Sequence, residues 1–214
     1  MATNIYYDNF LQHGYARANF CMDPERWAVI VMINGDNLWR VTYNEDAAIS
    51  DEEAVSRIPA RLAELLPGSG GYEIDAASPY RVHERASPGF RKGRVLLAGD
   101  AAHVCNPCGG LGLTTGFMDA AALIDALHAV MRDKCDAVIL DDYANERRRV
   151  FLEISSPRAS EYKRMIGESR PDYRERDMEN LRQIAADPER VRRSMLAPYK
   201  IRGNPLLNIE GRCN

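Results

Sequence analysis

Residues 93–121 read GRVLLAGDAAHVCNPCGGLGLTTGFMDAA, a stretch in which an apolar run is followed by a glycine-rich segment. The apolar run 94–98 is short and ends at Gly99-Asp100, as expected of a strand that is buried on both faces. An alanine-rich helical pattern follows, and four glycines precede or open it: Gly109, Gly110, Gly112 and Gly116. The order strand, glycine-rich loop and helix predicts a loop whose backbone approaches a ligand closely.

The residue types in this loop indicate what the ligand would be. Asp100 is placed at the C-terminal edge of a strand, where ligands of open α/β sheets usually bind. The start of the following helix offers N–H groups without helical partners and a partial positive charge. Together they predict a cradle for an electron-rich group. Phosphate is one candidate, but the anionic Asp100 nearby favours a hydroxylated, partly anionic organic molecule. The alternative is that the glycines only allow strand and helix to pack closely.

The same residues resemble the second flavin-contacting motif of class A flavin-dependent monooxygenases, the para-hydroxybenzoate hydroxylase type. Downstream, DDYANERRRV (141–150) resembles the Tyr-x-x-Glu-Arg pattern of that family, and the similarity covers roughly residues 5–165. The positions that match the family pattern are Gly93, Arg94, Val95, Leu97, Ala98, Gly99, Asp100, Ala101, Ala102, His103, Pro107, Gly109, Gly112, Asp119, Tyr143, Glu146 and Arg147.

The resemblance implies FAD as cofactor and NAD(P)H as reductant, with one oxygen atom transferred to an aromatic or polyketide-like small molecule. Asp100 would hold the ribityl hydroxyls, and the backbone at Gly110–Thr114 would face the pyrimidine edge of the flavin. Pro107 would lie where the substrate approaches the flavin ring. The implied cofactor-binding residues are Asp100, Gly109, Gly110, Leu111, Gly112, Leu113 and Thr114.

The chain departs from the family in one large respect. The family begins with a strand, G-x-G-x-x-G and a helix that bind the ADP half of FAD, and this sequence contains no such element. In family terms the chain is the C-terminal half, so we expect a homo-oligomer or a partner that supplies the missing half. FAD binding is weakened or lost if neither does so.

The expected fold is mixed α+β or α/β, a remnant of the flavin monooxygenase fold. A mostly antiparallel substrate-domain sheet with one helix is predicted over 1–92, the flavin-loop strand and long helices over 93–170, and C-terminal helices with a tail over 171–214. Locally, the sequence predicts a hairpin of 27–33 with 38–43 and a Ser50-capped helix over 51–66. Further helices are predicted over 114–131 (buried), from 136 to a kink or end at Pro157, over 172–187 and over 188–196.

Several further side chains are candidates for chemistry. His103 follows the Asp and could act as a general acid or base, although a structural role is the alternative. His83, if it shares a strand face with Arg81 and Arg85, could bind a phenolic or anionic substrate. Trp39 and Tyr80 could line an aromatic pocket, with core packing the alternative. A cofactor-independent isomerase, cyclase or dehydratase using His83, His103 or Asp100 is the second functional hypothesis.

Composition excludes other classes. The 214 residues carry a net charge of −3 with interspersed signs, which gives no basic stripe for nucleic acid. No apolar stretch is interpreted as a membrane span, and the N-terminal residues do not resemble a secretory signal. The five cysteines do not form a disulfide framework or a zinc motif, and no metal site is predicted. The chain is therefore expected to be cytoplasmic.

Overall fold

The computed structural model describes residues 1–132 and 135–206, and it divides the chain into two units. The first unit comprises 1–81 and 164–177, and the second comprises the described residues of 82–163 and 178–206. The first unit therefore ends at 81, where the sequence suggested a division at 92, and the segment 164–177 is grouped with it across the division suggested at 170.

The first unit contains a five-stranded sheet in the order β2-β3-β4-β1-β5, in which every neighbouring pair is antiparallel. This confirms the expected antiparallel sheet and the predicted hairpin, whose turn has Asn37 in the left-handed region at φ 57°. Alternate side chains face a core that includes Ile5, Ile30 and Trp39. The elements are β1 (Ala2–Tyr6), α1 (Asn9–Gln12), β2 (Ala18–Cys21), β3 (Ala28–Met32), β4 (Leu38–Tyr43) and β5 (Glu73–Ser78).

The helix predicted over 51–66 is divided into α2 (Asp51–Ser56) and α3 (Ile58–Leu65). The predicted cap is confirmed, because Oγ of Ser50 accepts a hydrogen bond of 3.1 Å from the N–H of Glu53. The division follows from Pro59 in the first turn of α3, since proline has no N–H to continue the helical ladder.

The strand predicted over 94–98 is much shorter than expected. Only β8 (Val95–Leu96) forms, in a hairpin with β7 (Arg91–Lys92), and β6 (Arg85–Ala86) pairs with β9 (His103–Val104). Val95 is 63% exposed, so the prediction of burial on both faces is wrong. Within the described residues β8 pairs with β7 alone, so its other edge lacks the neighbour that would extend it.

The remaining elements of the chain are helical. α4 begins at Leu111 rather than at Thr114 or Thr115, because Gly110 is the N-cap residue in a left-handed conformation. Pro157 does not end the second helix, since a π-helical segment (Phe151–Ser155) precedes it and the chain continues directly as α6. The bounds are α4 Leu111–Met131, α5 Ile139–Val150, α6 Ser156–Ile166, α7 Pro171–Ala186 and α8 Pro188–Leu196, with 3-10 segments at Gly99–Ala101 and Ala197–Arg202. The predicted tail lies partly outside the described residues.

α4 is not the buried helix that its apolar composition predicts. Leu113, Phe117, Ile124 and Met131 are each more than 60% exposed and recur at helical spacing along one face. By length and composition alone α4 could cross a membrane, against the prediction of no such stretch, but core helices of globular proteins pass the same test. Its opposite face carries the fully buried carboxylate of Asp119.

Three cysteines in the described residues are free thiols, namely Cys21, Cys105 and Cys108. Cys135 is disulfide-bonded, which the sequence did not predict.

Candidate functional site

A buried cluster of polar and charged side chains lies directly beneath the predicted ligand loop. Oδ1 of Asp119 accepts a hydrogen bond of 2.7 Å from Nε of Arg147, and Oδ2 accepts one of 2.7 Å from Nε2 of His103. Because a carboxylate only accepts, Nε2 of His103 carries the proton. The three side chains are at most 1% exposed, so these bonds form in a low-dielectric interior.

This cluster fixes the turn that carries Asp100. Oδ2 of Asp119 also accepts the backbone N–H of Gly99 at 3.1 Å. Gly99 has φ 58°, and a Cβ added to Gly116 on α4 would lie 3.2 Å from the Cα of Gly99. Because Gly99 and Gly116 have no side chains, the turn packs directly against α4. The Asp100 carboxylate in this turn remains exposed.

The loop between β9 and α4 is held by its own backbone and by Asn106. The N–H of Gly110 donates to the carbonyl of Pro107 at 3.1 Å, so in this structure it is paired within the loop. Gly109 and Gly110 have φ of 85° and 66°, a conformation that side chains with a Cβ rarely adopt. Pro107 is exposed.

The first turn of α4 has donors to offer a ligand. The N-cap residue Gly110 has no side chain that could accept a hydrogen bond from the first turn. The N–H groups of Leu111, Gly112 and Leu113 lie in that turn, where a helix provides no carbonyl partner. A Cβ added to Gly110 would meet nothing within 4 Å, so the backbone there borders open space. An open surface, unpartnered N–H groups and the exposed Asp100 carboxylate fit the ring and ribityl parts of a flavin.

His103 does not lie on this open surface. Its ring stacks on Phe151 with centroids 4.3 Å apart, and its Nδ1 is buried without a hydrogen-bond partner in the described structure. The side chain is therefore placed to orient Asp119 rather than to reach a substrate, which corresponds to the structural alternative for this residue.

The other candidate substrate residues do not share a strand face. Residues 79–84 form no strand, and the exposed side chains Arg81, His83 and Arg85 lie in or beside this irregular segment. Nη1 of Arg81 donates to the carbonyl of Ala47 at 3.0 Å. The expectation of one strand carrying all three is wrong, because Pro79 leaves only Arg85 in a ladder.

The two aromatic candidates both belong to the first unit but differ in exposure. Trp39 is completely buried in β4 and packs against Phe10 at a centroid distance of 4.8 Å. Its indole therefore fills the core of the first unit and has no surface with which to contact a ligand. Tyr80 is 43% exposed.

Sequence reasoning missed the role of Arg147. Apart from the family pattern, the run Arg147–Arg149 predicts a solvated helix face, and this prediction is wrong for Arg147, whose side chain is 1% exposed. Nη1 of Arg147 donates to the carbonyls of Ile201 and Arg202 at 2.9 and 3.0 Å. The spacing of four residues between Tyr143 and Arg147, both buried on one face of α5, could have indicated that Arg147 points inward.

Tyr143 lies beside this cluster. Burial, and then the nearby Asp119 charge, raise the pKa of the Tyr143 phenol, whose hydroxyl donates to the carbonyl of Leu97.

The two loop cysteines have the properties of packed thiols. Burial raises the pKa of both Cys105 and Cys108, which opposes thiolate chemistry at neutral pH.

The described residues contain no group of three or more side chains suited to a metal ion.

Comparison with known proteins gives consistent matches. The profile of the family described as FAD binding domain matches residues 28–155. Para-nitrophenol 4-monooxygenase of Pseudomonas sp. (strain WBC-3) is 45% identical over 210 residues, which are 97% of this chain and 52% of that protein. 6-Hydroxy-3-succinoylpyridine 3-monooxygenase of Pseudomonas putida (strain DSM 28022 / S16) is 42% identical, over 92% of this chain and 50% of that protein.

A solved structure agrees with the fold. The p-nitrophenol 4-monooxygenase PnpA from Pseudomonas putida DLL-E4 has a TM-score of 0.89 and 46% identity, covering 95% of this chain and 52% of that one. The chain thus spans about half the length of the curated relatives it matches.

Proposed function

Because the chain belongs to the FAD binding domain family, we propose that it forms the flavin-ring side of an FAD-dependent aromatic monooxygenase. The observation that carries the proposal is the open backbone cradle between Asp100 and the first turn of α4. When bound, FAD accepts reducing equivalents from NAD(P)H and activates molecular oxygen. NAD(P)H is available inside cells, and a cytoplasmic location suits this reaction.

The chain's own residues would orient the cofactor and shape its electronics. The exposed Asp100 carboxylate accepts hydrogen bonds from ribityl hydroxyls. The N–H groups of Leu111, Gly112 and Leu113, together with the positive end of α4, stabilise negative charge at the pyrimidine edge of the ring. The Asp119–His103–Arg147 cluster keeps the Asp100 turn in place, so less conformational entropy is lost when the ligand binds.

The substrate we propose is a phenolic or related aromatic molecule that receives a hydroxyl group. Relatives named for para-nitrophenol and 6-hydroxy-3-succinoylpyridine suggest this class. Pro107 is exposed at the tip of its loop, where it can pack against the edge of an aromatic ring without offering an N–H.

A second polypeptide surface is part of the proposal. The relatives are about twice as long as this chain, and the apolar face of α4 formed by Leu113, Phe117, Ile124 and Met131 is exposed. We infer that this face is covered by the other half of the monooxygenase fold or by a second copy of the chain, because so large an apolar stripe normally marks an interface.

No observation in the described residues specifically favours the second hypothesis, a cofactor-independent isomerase, cyclase or dehydratase. Of its three proton-transfer candidates, His103 is buried and bonded to Asp119, and His83 lies on an irregular exposed segment. Asp100 is exposed and is assigned above to the flavin cradle.

The experiment that tests the proposal is a titration of the purified chain with FAD, FMN and riboflavin, followed by visible absorbance and flavin fluorescence. The contacts described above reach only the ring and ribityl parts, so the three ligands should bind with dissociation constants within about threefold of one another. Asp100→Ala should weaken binding at least tenfold, since a hydrogen bond to a charged group contributes roughly 1.5–3 kcal/mol.

The matched control is Asp125→Ala, which removes an exposed carboxylate from α4, about four turns beyond Leu111. Its flavin affinity should stay at the wild-type value. Protein that remains colourless and leaves flavin fluorescence unchanged would refute the proposal, as would equal effects of the two substitutions.

A further inference from the structure

Glu84 connects two elements of the second unit through one carboxylate. Its Oε1 accepts hydrogen bonds from the hydroxyls of Ser156 and Ser160, the latter at 2.7 Å, on adjacent turns of α6. Its Oε2 accepts one of 3.3 Å from Nδ2 of Asn106, in the loop that precedes α4. No motif or family pattern in the sequence singled out this glutamate.

Asn106 transmits this connection to the loop. Its side chain is buried, and its Oδ1 accepts the backbone N–H of Cys108 at 3.1 Å, which closes a turn around Pro107. The amide of one side chain therefore faces Glu84 with its nitrogen and the Pro107 turn with its oxygen. A displacement of Asn106 would move Pro107 with it.

The other end of the same loop also rests on α6. A Cβ added to Gly109 would lie 2.6 Å from Cδ2 of Tyr162, so the backbone of Gly109 is already in contact with that ring. α6 is thus the base on which the loop is held, at Asn106 through Glu84 and at Gly109 through Tyr162.

We propose that Glu84 is a positioning residue that fixes the Pro107 turn against α6 and so sets the place of Pro107 beside the flavin cradle. The role of that turn in the reaction rests on the proposed function above, whereas the mechanical connection does not. Burial raises the pKa of Glu84, but the hydrogen bonds from Ser156, Ser160 and Asn106 outweigh it and hold the pKa below its usual range. The carboxylate therefore stays ionised and acts as an acceptor on both sides.

The test moves the negative charge from Glu84 to position 106 in two steps. At each step it measures the protection of the Cys108 amide against hydrogen exchange. Asn106→Asp places two carboxylates opposite each other, and we expect protection of this amide to fall about tenfold. Glu84→Gln in the Asn106→Asp background lets the Gln nitrogen donate to the new carboxylate while the Gln oxygen still accepts from the serines. Protection should then return to within threefold of the wild-type value.

The control is Glu175→Gln in the Asn106→Asp background, which makes the same change of net charge at an exposed residue of α7 and should restore nothing. Should Asn106→Asp unfold the chain, Ser160→Ala removes one donor to Oε1 and should lower protection two- to fivefold while amides in the middle of α5 keep theirs. Unchanged protection in Asn106→Asp would overturn the proposal, and so would unchanged protection in Ser160→Ala where that variant replaces it. In the Asn106→Asp background, rescue by Glu175→Gln or the absence of rescue by Glu84→Gln would also overturn it.

A flavin measurement separates this proposal from the function it rests on. With riboflavin as probe, Asn106→Asp should alter the fluorescence of the bound flavin, and Glu84→Gln should reverse the change. If riboflavin does not bind to the wild-type chain, the proposed function fails while the exchange result still decides the role of Glu84. If riboflavin binds and exchange is unaffected, only the positioning role is lost.

Discussion

Nε of Arg147 donates to Oδ1 of Asp119 at 2.7 Å, and both side chains are almost completely excluded from solvent. The pair joins α5 to α4, and Arg147 also binds the carbonyls of Ile201 and Arg202. Five donors in a planar fork allow one arginine to serve all these acceptors, which a lysine could not do. The turn that carries Asp100 therefore depends on a residue 47 positions later in the sequence.

Arg147→Met should lower the free energy of unfolding by roughly 3–5 kcal/mol, because it leaves the Asp119 charge buried without its cation. Arg147→Lys should recover only part of this loss. Urea unfolding followed by circular dichroism measures both. Arg182→Met, at an exposed pair with Glu179, should cost less than about 1 kcal/mol, and equal losses at the two sites would contradict the buried-pair explanation.

Gly109→Ala and Gly110→Ala should differ although both replace a glycine with positive φ. Each substitution costs roughly 1–2 kcal/mol of backbone strain. Gly109→Ala adds a clash with the Tyr162 ring at 2.6 Å, whereas the Cβ at Gly110 meets open space. Thermal unfolding should therefore show the larger loss for Gly109→Ala.

A double-mutant cycle identifies the source of that difference. Tyr162→Ala combined with Gly109→Ala should be more stable than the sum of the two single losses predicts, because the ring that causes the clash is gone. Additive losses would show that the ring does not oppose the new methyl group.

Acid should loosen the segment after Arg202 through Glu146. Hydrogen bonds from Arg149, together with one of 2.6 Å from the N–H of Asn204, hold the pKa of Glu146 below its ordinary value of 4.5, despite partial burial. A depressed folded-state pKa means that the stabilisation is complete above the ordinary value and is lost as the pH falls through the folded one. Protection of the Asn204 amide should therefore decrease below about pH 4.5, and Glu146→Gln should remove this dependence.

Glu153→Gln is the control for this pH effect. Glu153 also accepts from Arg149, at 2.9 Å, and no contact joins it to Asn204 in the described structure. The Asn204 amide should keep its wild-type pH profile in this variant. Identical profiles in the wild type and Glu146→Gln would contradict the assignment.

Phe117→Glu should prevent association through α4 without destabilising the chain, since this side chain is 63% exposed. Sedimentation velocity should show the wild type as an assembly and the variant as a smaller species. Val55→Glu, at an exposed apolar position of α2 in the first unit, should leave the assembly intact. A wild-type chain that is monomeric at every concentration would contradict self-association.

The sequence was most informative where neighbouring residues determine conformation. The hairpin around Asn37, the Ser50 cap and the glycine loop before α4 were all predicted, since turn and cap preferences act over a few residues. The family resemblance, confirmed by the matched profile, also rested on a contiguous motif. The start of α4 was placed at Thr114 or Thr115 because a hydroxyl is the usual cap, and a left-handed glycine served instead.

The sequence alone therefore determined the loop's backbone chemistry, because glycine, proline and capping side chains act locally. Only the tertiary structure decided that Arg147 is buried against Asp119, that Glu84 holds Asn106, and that one face of α4 remains exposed. These depend on residues far apart in the chain. Their pairing is settled by which elements pack together and by the cost of burying an unpartnered charge, neither of which a local pattern contains.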